Sequence, residues 1–271
     1  MGGSGGSGNH AGSGNNAGEG SCTLIPIQHA AAEDAIVTLQ ISPVLSGKPM
    51  AYGTPNTLPS GGTVTPTNFR FFVSHVEFLG PDGSVAPADL IGADGNPEQY
   101  GIHLFNAEDP ASATCRIRVK AGTYQAIHWV LGLDSACNAL DPSQAVGPLS
   151  VESQMTWPVN LGNFLGLRFE AQLMAGSAGA SGGTGVTPID EIHMGAAAGL
   201  LAPVVSIPGP LVVSANGMTR HIDLSMDELF TAASTPIPAG TPALPPLAPE
   251  VVAGERLRVH AAEVPLFTAE P

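Results

Sequence analysis

A run of aromatic and β-branched residues in the first third of the chain places the strongest limit on its fold. It extends from Phe69 to Leu79, contains four of the nine phenylalanines, and is followed at once by the turn sequence Gly80-Pro81-Asp82-Gly83. Such a composition, closed by Pro and Gly, is typical of a buried β-strand and its turn. One histidine, His75, lies inside the run. This position raises the question of whether its imidazole binds a ligand.

Strand-like segments recur along the rest of the chain. Apolar and polar residues alternate in Ala35–Ile41 and in Cys115–Val119, and Tyr124–Leu133 has the composition of a longer, more buried strand. About ten such segments are separated by turn sequences, without the alternation of strands and helices that marks a parallel sheet. The pattern predicts an all-β fold, either an antiparallel β-sandwich or an open barrel of about ten short strands with long loops.

Three local patterns in the C-terminal third give more specific predictions. Asn216-Gly217 lies between two apolar runs, which predicts a β-hairpin. Ser225 followed three residues later by Glu228 is the pattern of a capping box and predicts a short helix. The alternation in Arg256–Ala261 predicts a last edge strand.

Composition divides the chain into four parts. Residues 1–34 begin with a Gly- and Ser-rich stretch and are predicted to be a disordered linker. Residues 35–232 contain the strand patterns and are predicted to form the β domain. Residues 233–250 are Pro-rich and predicted to be extended, and residues 251–271 are predicted to hold the C-terminal edge strand and tail.

The charge balance excludes some partners. The chain has 9 Lys and Arg against 23 Asp and Glu, a formal charge of -14, which repels phosphate backbones and argues against a nucleic-acid partner. No apolar run is long enough for a transmembrane helix, so the chain is predicted not to span a membrane. Few basic residues with much Gly, Ala, Ser, Thr and Pro favour an exported protein. We expect a periplasmic or extracellular location. The linker-like start is compatible with a lipid anchor and with an export signal upstream of residue 1. The alternative is a cytosolic protein with a flexible start.

The three cysteines predict one disulfide. Cys115 and Cys137 both lie within the predicted β domain, whereas Cys22 lies at the edge of the linker. Because an odd number leaves one cysteine unpaired in a monomer, Cys115 and Cys137 are the better candidates for a disulfide bond.

Residue patterns for catalysis are absent from the sequence, but histidines are available to bind a metal. The chain has no G-x-S-x-G, no phosphate-binding glycine loop and no HExxH, so we expect it not to be an enzyme. Of the eight histidines, His75 and His193 lie on short predicted strands among apolar neighbours. Imidazole is a common ligand of borderline metals and suits copper. Each of the two is equally consistent with a packed structural histidine.

Several segments also occur in the same order in a known family. The run from Phe69 to Gly83 resembles FxFYVSxVxL…DG, and Tyr124 to Gly132 resembles Y…xxFxLG. Pro148-Leu149 followed by Met155-Thr156-Trp157 and Gly162 resembles PL…MxW…G, and Ile192 to Gly195 resembles xHLG. Together these segments resemble the MbnP-like family, exported proteins found near methanobactin and copper-handling systems.

The resemblance implies a β-rich, exported copper-binding protein. In that family a tryptophan can be oxidised to kynurenine by a di-haem partner protein of the MauG type, and the product joins histidines at copper. Trp157 matches the tryptophan of the family motif and His193 matches its histidine, so the resemblance implies both as copper ligands. His75, which lies one residue from the position that would align, is the third candidate ligand. The chain departs from the family where Ala139 rather than histidine follows Asn138.

A function without metal is the second interpretation. The glycine-rich start, the Pro-rich segment and the sparsely charged, acidic composition also suit a surface-displayed structural or adhesive β-sandwich. Metal content of the purified protein distinguishes the two interpretations.

Overall fold

The structure, a computed structural model, describes residue 22 and residues 29–59, 61–156, 163–175, 190–195, 202–238 and 249–269. The described residues form fourteen strands and three α-helices. The strands are β1 (Ala35–Leu45), β2 (Lys48–Pro49), β3 (Asn56–Thr57), β4 (Gly62–Leu79), β5 (Val85–Ala86), β6 (Ala88–Ile91), β7 (Ile102–Asn106), β8 (Thr114–Val119), β9 (Gly122–Leu131), β10 (Leu165–Ala175), β11 (Glu191–Gly195), β12 (Val204–Val213), β13 (Met218–Ser225) and β14 (Phe267–Ala269). The helices are α1 (Ser135–Asn138), α2 (Met226–Ser234) and α3 (Pro249–His260).

The strands form two sheets with the main core between them, which confirms the predicted all-β sandwich. The smaller sheet has the order β14-β13-β1-β8-β6, with β2 added to β1. Its central pair, β1 and β13, is parallel, from Val37 opposite Met218 to Val44 opposite Ser225. The sandwich is therefore mixed rather than wholly antiparallel. Among the described strands, neither sheet closes into a barrel.

The larger sheet is built around β4, the 18-residue strand that contains the Phe-rich run. One edge of β4 pairs first with β10, up to Phe71, and then with β9, from Val73 onwards. The opposite edge pairs in turn with β3, β7 and β5, while β11 pairs with β10 and β12 pairs with β9. β9 and β10 therefore meet end to end beside β4. At this strand junction a Cβ built on Gly166 would stand 3.0 Å from Cα of Gly132. The backbone of β10 therefore touches the backbone that follows β9.

A bulge in β4 places His75 outside the core. Phe69, Phe71 and Val73 face the main core, and the register between β4 and β9 shifts between Ser74 and Glu77. Beyond the shift Val76 and Phe78 face the core instead. The extra residue is His75, whose φ of 50° is in the left-handed region. A bulge of this kind turns a side chain away from the regular alternation of the strand.

Two apolar clusters lie on opposite faces of the larger sheet. The main cluster fills the space between the sheets and includes a stacked pair, Phe71 and Phe105, with ring centroids 4.5 Å apart. A smaller cluster lies on the outer face, where Phe72 of β4 is covered by the chain that follows β9. Its buried members are Cys22, Phe72, Ile102, Leu133, Cys137, Leu149, Met155, Phe164 and Leu165.

The disulfide bond joins Cys22 to Cys137, so the predicted pairing of Cys115 with Cys137 is wrong. The physical reason is the layer in which each cysteine lies. Cys115 faces the main core from β8 and is fully buried, whereas Cys22 and Cys137 share the outer cluster on the far side of the larger sheet. Within the predicted linker, Cys22 is 3% exposed and His29 Nδ1 lies 2.8 Å from Asp89 Oδ1, while residues 1–21 and 23–28 lie outside the described residues and the linker stays a prediction.

The Asn216-Gly217 turn forms, but the predicted hairpin does not. The N–H of Gly217 donates to the carbonyl of Ser214, as in a tight turn. β12 then belongs to the larger sheet and β13 to the smaller one. Ile222 and Leu224 of β13 are buried in the main core beside β1, and this burial draws the chain across the sandwich instead of back onto β12.

The C-terminal segment contains a helix where the sequence predicted the strand Arg256–Ala261. α3 packs on β11 and α2, and its buried positions Val251, Gly254 and Leu257 recur every three residues, a spacing that fits a helix. The edge strand of this segment is β14, which pairs with β13. The predicted short helix is confirmed as α2, where Ser225 Oγ accepts from the N–H of Glu228. The predicted Pro-rich extension falls largely on residues 239–248, outside the described residues.

Candidate functional site

His75 forms a hydrogen-bonded pair with Asp134 beside the strand junction. Nε2 of His75 lies 2.8 Å from Oδ2 of Asp134, and the two side chains are 24% and 27% exposed. The bulge in β4 supplies the imidazole, and the end of β9 leads directly to the carboxylate. With the Nε2 proton donated to Asp134, the lone pair is on Nδ1, which makes no hydrogen bond to the described residues. The pair is thus ordered by the protein and still reaches solvent.

Asp134 is held as a carboxylate by hydrogen bonds from His75 and from the backbone of α1. Burial by itself would raise its pKa, but hydrogen bonds from His75 and from the backbone N–H of Cys137 outweigh burial and leave the pKa below its ordinary value. The Cys137 bond, 2.7 Å to Oδ1, caps the first turn of α1. The carboxylate therefore connects the imidazole directly to the helix that carries the disulfide.

The same short helix fixes both flanks of the segment that contains Trp157. The side-chain oxygen of Asn138 accepts from the N–H of Phe164 at 2.9 Å. Phe164 in turn forms a β-bridge with Thr156, and the carbonyl of Met155 accepts from the N–H of Leu165. The described residues on either side of 157–162 are thus joined to each other and, through Phe164, to α1. Trp157 itself, a predicted metal ligand, lies outside the described residues.

His193 belongs to a second pair, on β11. It is 7% exposed, and its Nε2 lies 3.0 Å from Oε1 of Glu170 on β10. Arg168 donates to the same oxygen from Nε at 2.8 Å. Burial would raise the pKa of Glu170, but the contacts with Arg168 and His193 outweigh it, and the pKa is lowered. His193 is therefore part of a charged row on the outer face of the larger sheet.

That row also reaches the chain just before Trp157. Nη1 of Arg168 donates to the carbonyl of Gln154 at 2.7 Å, and Nη1 of Arg70 donates to its side-chain oxygen at 2.6 Å. Gln154 has a φ of 56°, a left-handed conformation that its two arginine contacts help to hold. Sequence reasoning missed Arg70, which is 3% exposed. The sequence feature that could have identified Arg70 is the presence of a basic residue inside the apolar run Phe69–Leu79.

The structure does not bring the two predicted histidines to one position. His193 lies opposite Arg168, which lies opposite Arg70, whereas His75 is five residues further along β4. With about 3.3 Å per residue along a strand and about 4.8 Å between strands, their backbones are roughly 15–20 Å apart. A single ion cannot bridge them. Among the described residues, no three or more His, Cys, Asp or Glu side chains form a ready metal cluster.

The contact between His75 and Asp134 has the form found at metal-binding histidines. Metal-bound histidines usually donate their second ring N–H to a carboxylate, which fixes the ring and its tautomer. The Asp134 contact of His75 has this form and leaves Nδ1 as the donor atom. His193 has the same kind of contact with Glu170, and there Arg168 already neutralises the carboxylate.

The fold and site define a class: a two-sheet β-sandwich with histidine–carboxylate pairs on the outer face of its larger sheet. Comparison with known families assigns this chain more closely. The MbnP family model matches residues 34–240, and the chain belongs to the MbnP family. The predicted resemblance is thereby confirmed.

Comparisons with individual proteins add less. The structure of MbnP from Methylosinus trichosporium aligns with 72% of this chain and 77% of its own, at a TM-score of 0.47 and 16% identity, a likeness too low to carry an argument about the site. A search of curated proteins finds no match. Within the described residues, no helix is long and apolar enough to cross a membrane.

Proposed function

We propose that this chain is an exported, non-enzymatic copper-binding protein in which His75 and the side chain of residue 157 bind the ion. Membership of a methanobactin-associated family supports this proposal, since copper is the cargo that the resemblance implies. The observation that carries it is the His75–Asp134 pair: Asp134 orients the imidazole and, through α1 and Asn138, both flanks of Trp157 are anchored beside it.

The proposal includes oxidation of Trp157 to kynurenine by a di-haem partner. In that conversion the C2–C3 bond of the indole is cleaved, both carbons gain oxygen from peroxide, which is reduced to water at the partner, and hydrolysis releases C2 as formate. The product has an aromatic amine and a carbonyl that can join an imidazole at a low-coordinate copper(I) ion. Trp129, the second tryptophan, is 1% exposed in the main core and serves as an internal reference for this reaction.

His193 contributes to the proposed site through Glu170 and Arg168, which hold Gln154. In this role its imidazole shapes the Trp157 segment instead of sharing an ion with His75. Direct ligation by His193 stays a prediction, and the two roles give different results on substitution. A structural role predicts a weak effect of His193→Ala on copper affinity. Ligation by His193 in place of His75 predicts that His193→Ala causes the large loss and that His75→Ala does not.

The test is a copper(I) competition titration of the full chain isolated from its native host, with intact mass and peptide mapping of both tryptophans. We expect one copper per chain, a kynurenine mass shift on Trp157, and no shift on Trp129. His75→Ala and Trp157→Phe should each weaken copper binding by at least about tenfold. His221→Ala, on an exposed position of β13, is the matched control and should bind as the wild type does.

A chain that binds no copper in either state of Trp157 would overturn the proposal. That result would favour the alternative function, a metal-free surface-displayed structural or adhesive module. Wild-type copper binding that survives both His75→Ala and Trp157→Phe would place the ion elsewhere in the chain.

A further inference from the structure

The disulfide bond lies against the His75–Asp134 pair. Sγ of Cys137 is 3.7 Å from Oδ2 of Asp134, the same oxygen that bonds to Nε2 of His75 at 2.8 Å. The partner sulfur, that of Cys22, is joined to Cys137 by the disulfide. The disulfide therefore lies beside the His75–Asp134 pair, and both of its sulfur atoms are held in the S–S bond.

We propose that reduction of the Cys22–Cys137 disulfide creates a zinc site whose four ligands are the two thiolates, Asp134 and Nε2 of His75. This site is separate from the proposed copper function, since it needs neither copper nor Trp157 and uses the other nitrogen of His75. Two thiolates, one imidazole and one carboxylate are a donor set that favours a tetrahedral divalent ion such as zinc.

The distances already approach those of such a site. With Zn–S of about 2.3 Å and Zn–O of about 2.1 Å, tetrahedral angles separate sulfur from oxygen by about 3.6 Å. The observed 3.7 Å between Cys137 and Asp134 matches this edge. The imidazole nitrogen and carboxylate oxygen, now 2.8 Å apart, must separate by about half an ångström to admit the ion.

Burial also suits a metal. Cys22 and Cys137 are each 3% exposed at the edge of an apolar cluster, while His75 and Asp134 are about a quarter exposed and give the ion a route from solvent. Residues of α1 position Cys137 and Asp134 one helical turn apart, so the two ligands share a rigid element.

Reduction of the disulfide and zinc binding are two separate steps. A dithiol reductant gives two electrons and two protons to the S–S bond, which becomes two thiols, and the dithiol closes into its own disulfide. Zinc then displaces both thiol protons to solvent. The proton of His75 moves from Nε2 to Nδ1, so the neutral imidazole offers Nε2, and the loaded site carries one negative charge.

The experiment compares oxidised and reduced forms of the full chain. The protein is reduced with a phosphine, freed of reductant under argon, and titrated with zinc against a chromophoric chelator; cobalt(II) then replaces zinc as a spectroscopic probe. We expect one zinc per reduced chain, none on the oxidised chain, and cobalt spectra with thiolate charge-transfer bands and intense tetrahedral bands. Trp157→Phe should leave zinc binding unchanged, which separates this result from the copper proposal.

Variants assign the ligands. His75→Ala and Asp134→Asn should each weaken zinc binding of the reduced chain by at least about tenfold, because loss of even an outer-shell partner costs about 10–100-fold. His221→Ala is again the control. Equal zinc affinity of the wild type and both variants would overturn the proposal, as would a reduced wild type that binds no zinc.

Alkylation of the wild type covers the case of a variant that does not fold. Bound zinc should slow the reaction of Cys22 and Cys137 with iodoacetamide by at least about tenfold, a change read from peptide masses. Cys115, which is fully buried and outside the site, should react equally with and without zinc. Unprotected Cys22 and Cys137 at saturating zinc would contradict the proposal.

Discussion

Gly254 of α3 lies directly against the carbonyl group of His193. A Cβ built on this glycine would stand 2.1 Å from the carbonyl oxygen of His193 and 2.7 Å from the amide nitrogen of Met194. The helix backbone thus rests on the backbone of β11, the outermost strand at that end of the larger sheet. The absence of a side chain at Gly254 is what lets α3 cover this edge and bury His193.

Gly254→Ala should therefore destabilise the chain, although alanine is the better helix former. Helix propensity favours the substitution by about 1 kcal/mol, but the methyl group meets backbone that cannot rotate away, at a cost on the order of 1–3 kcal/mol or more. We expect lower stability in urea unfolding and faster amide hydrogen exchange in β11. Arg256→Ala, at a half-buried position of the same helix, is the control and should leave β11 exchange unchanged. Unchanged exchange in both variants would contradict the close packing.

Arg70 is a buried guanidinium that connects several segments on the outer face of the larger sheet. It is 3% exposed and donates to Asn106, Gln154 and the carboxylate of Glu108. Arg70→Met removes these charge-assisted hydrogen bonds from acceptors that are half-buried or exposed and can turn to water, and we expect a loss of about 1.5–3 kcal/mol in the free energy of unfolding. Arg70→Lys should recover only part of this loss, since lysine keeps the positive charge but its ammonium group cannot reproduce the planar donor pattern of the guanidinium.

The matched control for Arg70 is Lys48→Met, which removes a basic residue from the exposed strand β2. Surface substitutions of this kind change stability by about 0.5 kcal/mol or less. If Arg70→Met behaves like Lys48→Met in chemical denaturation, the network around Arg70 contributes nothing measurable.

The sequence predicted those features that depend on local patterns. The Phe-rich run becomes β4, and the Ser225–Glu228 cap begins α2, because strand composition and capping act over a few residues. The hairpin at Asn216-Gly217 and the strand at 256–261 failed, because the partner of each segment is distant in sequence: β1 for β13, and β11 for α3. A period of two in Arg256–Ala261 also hid the helical spacing of Val251, Gly254 and Leu257.

In the candidate site, too, the sequence predicted local features but not contacts between distant residues. His75 was found because a histidine in an apolar strand is conspicuous, but its partner Asp134 lies 59 residues away and no pattern connects them. The disulfide was mispaired because sequence position alone does not reveal the face of a sheet. Cys115 and Cys137 lie on opposite faces of the larger sheet, and only the layers of the fold show it.

Asp134 should make stability depend on pH in the acid range. Its folded pKa is below the ordinary 3.8, so the unfolded chain binds the proton more readily. The contribution of Asp134 is therefore complete above the ordinary pKa and is lost as pH falls through the folded pKa. At neutral pH we expect Asp134→Asn to cost about 1–2 kcal/mol, with the difference from wild type vanishing at low pH. Urea unfolding at a series of pH values measures this difference.

Glu33→Gln provides the comparison for that series, because Glu33 is an exposed acid before β1. Its unfolding curve should follow the wild type at every pH. A gap between wild type and Asp134→Asn that stays constant down to strongly acid pH would show that the carboxylate charge is not what stabilises the fold.

The Cys22–Cys137 bond should be a major source of stability. The remaining cysteine, Cys115, should be unreactive in the folded protein because it is buried. The disulfide closes a loop with a sequence separation of 115, and removing such a bond with Cys22→Ala and Cys137→Ala together costs about 2–5 kcal/mol. Burial raises the pKa of the Cys115 thiol, so native protein should not alkylate at this position until it unfolds. Urea unfolding of the double variant measures the contribution of the bond to stability, and non-reducing peptide mapping after iodoacetamide treatment checks the pairing and the reactivity of Cys115. A cross-link that contains Cys115, or alkylated Cys115 in folded protein, would place the three cysteines differently from the layers described above.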